Sequence, residues 1–325
     1  MKTQYEQLKP TIAVVIPFYN GAKFWSELVR SLIDQTSKLD EAVIVLDGKE
    51  QFLPDDNLDE IAYEVKVIKL NQNRGVANAR NIGLDAVTSD YIFFLDQDDY
   101  FYPNRVEAVR HFIYEKDPLW IVNSYNMVSE DGSLIKKIIP SKWLESSNKQ
   151  ARLENQFMYQ NGFARISTLC CKRTIVGRFD PKMGSSDDFV FVFGLLDTSA
   201  PCILNEVGNA RRYHGSNSSQ NISHRRSQIK ANAYLYRKYM FDYKVRKRSL
   251  SRLCCNLAIE SMVYRSKSYA IRNFLRSFKL DFFNIKALVG LILCKIFKDP
   301  VTVLNKIKLV LNVIKISRSK KMVGS

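Results

Sequence analysis

The sequence predicts an α/β protein whose doubly wound, mostly parallel sheet is flanked by helices and followed by a basic, amphipathic helical region. The first observation is that apolar runs alternate with helix-like segments between residues 11 and 99, in the order strand, helix, strand, strand, helix, strand. The second is the charge distribution. From residue 223 onward the chain has 24 Lys and Arg against 4 Asp and Glu, a net charge of +20, whereas the first 222 residues have 25 against 29, a net charge of −4. Two regions with different electrostatic roles are expected.

Four short apolar runs have the composition of buried or half-buried strands. They are TIAVVIPFYN (11–20), EAVIVLDG (41–48), VKVIKL (65–70) and YIFFLDQDD (91–99). The apolar spacing of Phe24, Leu28 and Leu32 predicts a helix over 24–36, and NRGVANARNIGLDAV (73–87) predicts a second helix that opens with a glycine. Ligands of such sheets lie beyond the carboxyl ends of the strands, so the functional site is expected at that edge.

The pattern is weaker in the remaining part of the chain. The expected elements there are strands at 119–128 and 167–172, a loop, an acidic pair and a helix at 179–196, a polar loop at 211–221, and helices from about 225 onward. We therefore divide the chain into an α/β domain at 1–222 and a basic helical region at 223–325.

Length and composition narrow the protein class. A chain of 325 residues is long enough for one large or two ordinary domains with a sizeable core. The first ten residues, MKTQYEQLKP, are polar and lead straight into a strand, unlike a signal peptide. The six cysteines include two adjacent pairs and no Cys-x-x-Cys, so neither a disulfide framework nor a zinc site is expected. Reduced thiols in a cytosolic compartment are the better interpretation.

Carboxylates cluster where the fourth strand ends. Asp96, Asp98 and Asp99 form Asp-x-Asp-Asp, and such close negative charges need a counter-charge. Two carboxylates two residues apart on a turn can bind one hard divalent cation, whose shell a diphosphate completes. The alternative is that Asp98 or Asp99 caps the helix that follows Pro103. Because Tyr19 and Asp47 follow the first and second strands, they are expected beside the acidic cluster.

The motifs together resemble the N-terminal half of a family 2 glycosyltransferase with the GT-A fold. VVIPFYNGAKFWSELVRSLIDQT, VIVLDGK and NRGVANARNIGLDAVTSDYIFFLDQDDYFYPNRVE carry the resemblance, closely over about 11–110 and loosely over 111–222. It implies that 1–222 is an inverting, metal-dependent catalytic domain that moves a sugar, as a hexosyl- or N-acetylhexosaminyl-transferase, from a nucleotide-diphosphate donor. UDP is the expected nucleotide and Mn²⁺ or Mg²⁺ the expected metal.

The resemblance also implies roles for individual residues. The donor would be bound by Pro17, Tyr19, Asp47, Arg74, Asp96 and Gln97. Tyr19 and Asp47 would line the nucleobase pocket, although Leu46 stands where the family usually has a second aspartate. The metal would be bound by Asp96, Asp98 and His214. The remaining arginine of the NxGxxxARN motif, Arg80, is expected to be a helix-surface or salt-bridge residue.

Inverting transfer needs a base that removes the proton of the acceptor hydroxyl on the face opposite the leaving diphosphate. Asp187 and Asp188 lie where the family usually has Glu-Asp. We expect Asp188 to be the base and Asp187 to contact acceptor hydroxyls. The alternative is that the pair caps the helix that begins at SSDDFVF.

His214 lies in RRYHGSNSS, which resembles a loop that closes over the donor in this family. Its imidazole is a candidate metal ligand or diphosphate contact, and Arg212 could offset phosphate charge. A solvent-exposed loop histidine is the alternative.

The basic region contains two amphipathic segments. Residues 301–316 place apolar side chains on one helical face and Asn and Lys on the other, and a second apolar face combines Ile285, Leu288, Val289, Ile292, Ile296 and Phe297. Such helices are typical of the surface of an anionic bilayer, and the uncharged stretches are too short to span one. We therefore expect a cytoplasmic protein peripheral to the inner face of the membrane. The alternative is a helical cap on the catalytic domain.

The expected acceptor is a hydroxyl of a glycan or lipid-linked molecule in surface polysaccharide or lipooligosaccharide synthesis. Nucleic acid is not an expected partner, because no recognition motif accompanies the positive charge. Two other classes stay open. A nucleotidyltransferase would also use a doubly wound sheet and a carboxylate-bound metal, but PFYNGAK is a poor match to its Gly-rich, basic loop. A membrane-associated scaffold that has lost catalysis would explain Leu46 and the Asp-Asp pair.

Overall fold

The structure is a computed structural model that describes residues 9–49, 53–54, 58–158, 165–214, 222–264 and 267–296. The chain divides into two compact units, Met1–Lys238 and Tyr239–Ser325.

The first unit begins with the parallel half of a sheet, as the sequence predicts. Its elements are β1 (Ile12–Phe18), α1 (Ala22–Ile33), β2 (Glu41–Leu46), β3 (Glu64–Lys69), α2 (Val76–Ala86) and β4 (Tyr91–Phe94). These strands lie in the order β3-β2-β1-β4, and all of their pairings are parallel. β1, β2 and β4 are buried along their whole length, which explains their continuous apolar sequences, whereas β3 is an edge strand and alternates.

The second half of the sheet is mixed. Its elements are β5 (Tyr100–Phe101), α3 (Arg105–Lys116), β6 (Trp120–Val128), β7 (Leu134–Ile138), α4 (Lys149–Met158), β8 (Leu169–Lys172), α5 (Asp187–Thr198) and β9 (Cys202–Arg212). In the described part of the chain the full order is β3-β2-β1-β4-β8-β6-β9-β5, with β7 paired to β6. β8 is antiparallel to β4 and β6, and β9 is parallel to β6. The fold class is confirmed.

Some elements depart from the sequence pattern. β6 and β8 were expected, but β7, α4 and β9 were not, because their polar residues give no clear periodicity. β9 extends to Arg212, so the start of the expected loop at 211–221 is strand, and residues 215–221 lie outside the described part. In α1 the buried positions include Trp25, Leu28 and Leu32, while Phe24 is half-buried and contacts the ring of His214.

The helical C-terminal region is confirmed. α6 (Ile222–Tyr239) closes the first unit, and the second contains α7 (Tyr243–Tyr264), α8 (Lys267–Leu280) and α9 (Ile285–Ile296). Its core packs Phe274 against Gly290 and Leu291. Among the described residues, no helix has both the length and the apolar content needed to cross a bilayer.

The apolar face predicted around α9 is turned outward within its unit. Ile285 and Ile296 are 72% and 67% exposed, whereas the buried positions of the helix are Ala287, Gly290, Leu291, Leu293 and Cys294. Phe282 and Phe283, in the turn before α9, are 72% and 85% exposed. Phe297 and the amphipathic segment 301–316 lie outside the described residues.

Candidate active site

The loops after β1, β2 and β4 lie at one edge of the parallel half-sheet. They carry Tyr19, Asp47 and Asp96, the residues expected there. Tyr19 is 44% exposed and Asp47 is buried. Pro17 belongs to β1 and aligns with Val45 of β2, beyond the last residue of β1 that pairs with β4. A proline is tolerated there because no β4 acceptor needs its missing N–H.

Gln97 joins the loop after β4 to the loop after β1. Its Oε1 accepts a hydrogen bond from the Tyr19 backbone N–H (2.6 Å), and its Nε2 donates to the Tyr19 carbonyl (2.8 Å). A Cβ on Gly21 would lie 2.6 Å from the Gln97 side chain, so a larger residue at position 21 would force that side chain to move. The amide thereby fixes the backbone that presents the Tyr19 ring.

Asp47 orders the loop before α2. Its Oδ1 accepts from the backbone N–H of Arg74 at 2.7 Å. Gly75 follows with φ of +84°, a conformation that a side chain would strain, and precedes the first turn of α2. The Arg74 side chain is exposed at the same edge. Asp47 thus holds the backbone of Arg74, the residue whose side chain is predicted to bind the nucleotide.

The three carboxylates of the 96–99 loop have ligand atoms that all lie within 4.8 Å of one another. Asp96 and Asp98 are partly exposed, and Asp99 is buried. Asp99 accepts from the Ser167 hydroxyl (2.7 Å) and the Arg212 backbone N–H (3.0 Å). Burial and the charges of Asp98 and Asp96 raise the pKa of Asp99 well above its usual range. Neither Asp98 nor Asp99 caps α3, whose cap position is Asn104.

His214 is placed beside this cluster. Its Nε2 lies 2.9 Å from Oδ2 of Asp98, and its side chain is 8% exposed. The ring packs against Phe24, with centroids 5.0 Å apart. The alternative prediction, that His214 is a solvent-exposed loop residue, is therefore wrong.

The side chain of Arg80 is buried and connects the loop after β4 to the start of α5. NH2 donates to Oδ1 of Asp96 at 2.6 Å, and NH1 donates to Oδ2 of Asp187 at 2.8 Å. The guanidinium lies 5.2 Å from the ring centroid of Phe179 and is 5% exposed. Burial lowers the pKa of Arg80, but Asp96, Asp187 and Asp188 outweigh it and raise the value above its usual range. Of the two expectations for Arg80, the salt bridge is correct.

Asp187 and Asp188 are the first two residues of α5. Asp187 is 3% exposed in its side chain, and burial raises its pKa to about 6 despite the opposing charge of Arg80. Asp188 is half-buried and accepts from the backbone N–H of Phe189 at 2.7 Å. The cap position of α5 is Ser186 and neither aspartate occupies it, but the bond that Asp188 accepts from the Phe189 N–H does satisfy a first-turn donor of the helix. Asp187, expected to contact acceptor hydroxyls, is turned onto Arg80.

Arg212 supports the cluster from β9. Its guanidinium donates to the carbonyls of Asp98 (3.2 Å) and Glu130 (2.7 Å) and to the carboxylate of Glu27. Its neighbour Arg211 also acts on the loop, because Asp99, Asp96 and Asp98 raise the pKa of Arg211 against the effect of burial. Arg212 therefore supplies positive charge next to the loop, and the charge of Arg211 also interacts with the three aspartates.

Sequence reasoning gave Arg80 no site role and did not identify Ser167 or Arg211. A signal for Arg80 was available: Ala77 and Gly83 lie three residues to either side of it, and small residues at helical spacing indicate a face that packs closely. Ser167 and Arg211 lie on segments far from the acidic loop in sequence, so no local pattern connects them to it.

Comparisons with known proteins bear on the family and the fold. Residues 13–174 match the model of the family described as Glycosyl transferase family 2. A putative teichuronic acid biosynthesis glycosyltransferase, TuaG of Bacillus subtilis, is 30% identical over 135 residues, which are 40% of this chain and 53% of that protein. An uncharacterized glycosyltransferase of Rickettsia conorii is 34% identical over 129 residues, 39% of this chain and 21% of that protein. The matched part thus spans about half or less of these relatives.

Solved structures show the same fold. The crystal structure of S. aureus TarS has a TM-score of 0.54 at 15% identity, covering 87% of this chain and 54% of that chain. TarS 1–349 in complex with UDP-GlcNAc has a TM-score of 0.51 at 14% identity, covering 87% and 90%. At this level of identity the likeness concerns the fold.

Proposed function

Since residues 13–174 form a family 2 glycosyltransferase domain, we propose that this protein is an inverting glycosyltransferase acting on a nucleotide-diphosphate sugar. The acceptor is a hydroxyl of a glycan or lipid-linked molecule. One observation carries the proposal: a single guanidinium, that of Arg80, binds both Asp96 on the donor side and Asp187 beside the base. The donor-side carboxylate of Asp96 and the residue next to the proposed base, Asp187, are thereby held by one side chain.

The donor lies along the edge formed by the loops after β1, β2 and β4. The exposed ring of Tyr19 is available to the nucleobase, and the exposed Arg74 side chain to the nucleotide. Gln97 contributes by holding the Tyr19 backbone. UDP is the proposed nucleotide, supported by the TarS complex with UDP-GlcNAc, a protein of the same fold.

A divalent cation fits the acidic loop. Carboxylate and imidazole groups converge there, and Asp96 and Asp98 open toward solvent while the carboxylate of Asp99 is buried against Ser167 and Arg212. Asp96, Asp98 and His214 would therefore hold Mn²⁺ or Mg²⁺. When bound, the ion supplies neutralising charge to the leaving diphosphate.

Asp188 is the proposed base. It follows Asp187 at the start of α5 and is half-buried, so an acceptor hydroxyl can reach it, whereas Asp187 is enclosed. The acceptor oxygen attacks the anomeric carbon as its proton passes to the Asp188 carboxylate, and the bond to the diphosphate breaks on the opposite face. Asp187 binds Arg80 and thereby anchors the pair.

Purified protein, Mn²⁺ and a panel of nucleotide-sugars test the proposal. We expect slow UDP release from one donor. Asp188→Asn should lower that rate at least about 10²-fold, the typical contribution of a general base, with the dissociation constant for UDP unchanged by calorimetry. Loss of UDP binding would move Asp188 to the donor side. No release from any donor would favour a scaffold, and nucleotide transfer with pyrophosphate release would favour a nucleotidyltransferase.

We further propose that the protein acts at the cytoplasmic surface of an anionic membrane, in surface polysaccharide or lipooligosaccharide synthesis. The name of the TuaG relative supports the polysaccharide setting. The exposed Phe282 and Phe283 support the membrane partner, because exposed lysines, Lys279 and Lys286, flank them and aromatic and cationic side chains together suit an anionic bilayer interface.

A further inference from the structure

Arg80 connects the two sides of the proposed reaction. Its guanidinium leaves α2, binds Asp96 in the loop after β4, and binds Asp187 at the start of α5. We propose that Arg80 is a positioning residue that holds the Asp187–Asp188 pair at a fixed place relative to the donor loop. This inference rests on the proposed function.

The bridge joins a buried carboxylate to one that opens toward solvent. The side chain of Asp187 is 3% exposed and that of Asp96 is 34% exposed. If Arg80 served stability alone, its ion pair with Asp187 would be sufficient. The second bond, at 2.6 Å to Asp96, adds a constraint between the inner wall of the site and its solvent-facing loop. The planar fork of arginine can make both bonds at once, which a lysine ammonium on its flexible stem does less well.

The neighbour of Arg80 strengthens the connection between α2 and the segment before α5. Asn81 Nδ2 donates to the Phe179 carbonyl, and Asn81 Oδ1 accepts from the Phe179 N–H, both at 2.9 Å. The Phe179 ring lies under the Arg80 guanidinium and stacks on Phe191 of α5, with centroids 4.1 Å apart. Two consecutive residues of α2 thus hold this segment at separate points.

Asp188 acts on the Arg80 guanidinium through its charge, which raises the pKa of Arg80. Its place is set by α5, whose first residue Arg80 holds. A shift of about 1 Å in a catalytic group costs about 10²-fold in rate, so freeing the start of α5 should slow the reaction strongly.

The test uses the full chain with UDP, UDP-GlcNAc and the active donor of the panel, in Mn²⁺. Arg80→Lys keeps the charge and should lower the UDP release rate about 30- to 100-fold, leaving the dissociation constant for UDP within threefold. Hydrogen exchange of the amides at 186–190 should become faster, a readout independent of turnover. Arg178→Lys is the matched control, because Arg178 also links this segment to α2, through an exposed ion pair with Asp85 and the Asn81 carbonyl, and should change neither readout.

Two further variants distinguish a loss of stability from a loss of positioning. Arg80→Gln leaves Asp187 buried without its partner, whereas Arg80→Gln with Asp187→Asn removes both charges. The double variant should recover the melting temperature and still lack activity. If it recovers the rate together with stability, or if Arg80→Lys has the wild-type rate and exchange, the positioning role is wrong. If wild-type protein neither binds UDP nor releases it from any donor, the proposed function fails and this inference with it.

Discussion

Each aspartate of the 96–99 loop has its own protein partner. Arg80 binds Asp96, His214 binds Asp98, and the Ser167 hydroxyl with the Arg212 amide binds Asp99. The repulsion evident in the sequence is therefore offset by groups from α2, β9 and its following residues, and the turn before β8. In our proposal the divalent ion serves the donor diphosphate, and the loop keeps its shape through these contacts.

Glu41, at the opposite end of β2 from Asp47, is also a carboxylate held in place by protein partners. Its buried carboxylate accepts from Lys66 Nζ (2.6 Å), the Thr88 N–H (3.0 Å) and the Ser89 hydroxyl (2.9 Å). Burial raises the pKa of Glu41, but these hydrogen bonds outweigh it and hold the value below its ordinary range. The carboxylate thus fixes the turn that leads into β4.

Glu41→Gln should lower the free energy of unfolding by about 2–3 kcal/mol at pH 7, because buried donors lose a charged acceptor. The folded-state pKa of Glu41 is lowered, so its contribution is present above the unfolded value of about 4.3 and is lost as the pH falls through the folded value. The difference between wild type and variant in urea unfolding should therefore shrink below about pH 4.3. Glu64→Gln, an exposed partner of the same Lys66, is the control and should change stability little. A difference that grows in acid would contradict this assignment.

At the scale of elements, α2 is held against the sheet by close packing as well as by Arg80. A Cβ on Gly83 would lie 2.4 Å from Cγ1 of Val15 in β1. Glycine at that position lets the helix approach the strand, and the approach brings Arg80 between Asp96 and Asp187. Helix propensity alone would favour alanine there.

Two glycine-to-alanine substitutions in helices should change the free energy of unfolding in opposite directions. Gly83→Ala should destabilise the protein by about 1–3 kcal/mol, because β-branched Val15 has little freedom to move. Gly194→Ala in α5 should stabilise it by about 0.5–1 kcal/mol, since a Cβ there meets nothing within 4 Å and the helix gains propensity. Urea unfolding measures both, and a stabilising Gly83→Ala would show that α2 does not pack closely on β1.

At the scale of the whole molecule, the chain divides into two units of different charge. The first carries the site among buried strands, and the second presents apolar side chains at its surface, in the turn before α9 and along that helix. Exposed aromatic residues on a strongly basic region are unusual for a surface that meets only water.

Phe282→Ser with Phe283→Ser should weaken binding of the full chain to vesicles containing anionic lipid at least about tenfold, because two aromatic side chains no longer enter the interface. Cosedimentation measures this, and binding should also fall with added salt. Tyr114→Ser, which removes a 56% exposed aromatic residue from α3, is the control. If the double variant binds vesicles as well as the wild type does, the proposal that Phe282 and Phe283 contact the membrane is wrong. A wild-type dimer that the double variant converts to monomer would instead assign these residues to a protein contact.

The parallel half-sheet, the edge that carries Tyr19, Asp47 and Asp96, and the family of residues 13–174 could all be predicted from the amino-acid sequence. These depend on local patterns: continuous apolar runs, polar residues where strands end, and glycines at turns. The folded structure was needed to see that Arg80 connects the loop after β4 to the start of α5, and that Asp187 is enclosed while Asp188 is half-buried. It alone also showed that the predicted apolar face of α9 points outward within its unit. Those features depend on contacts between side chains that are 16 or more residues apart in the sequence. The periodicity of side chains within one segment does not predict such long-range contacts.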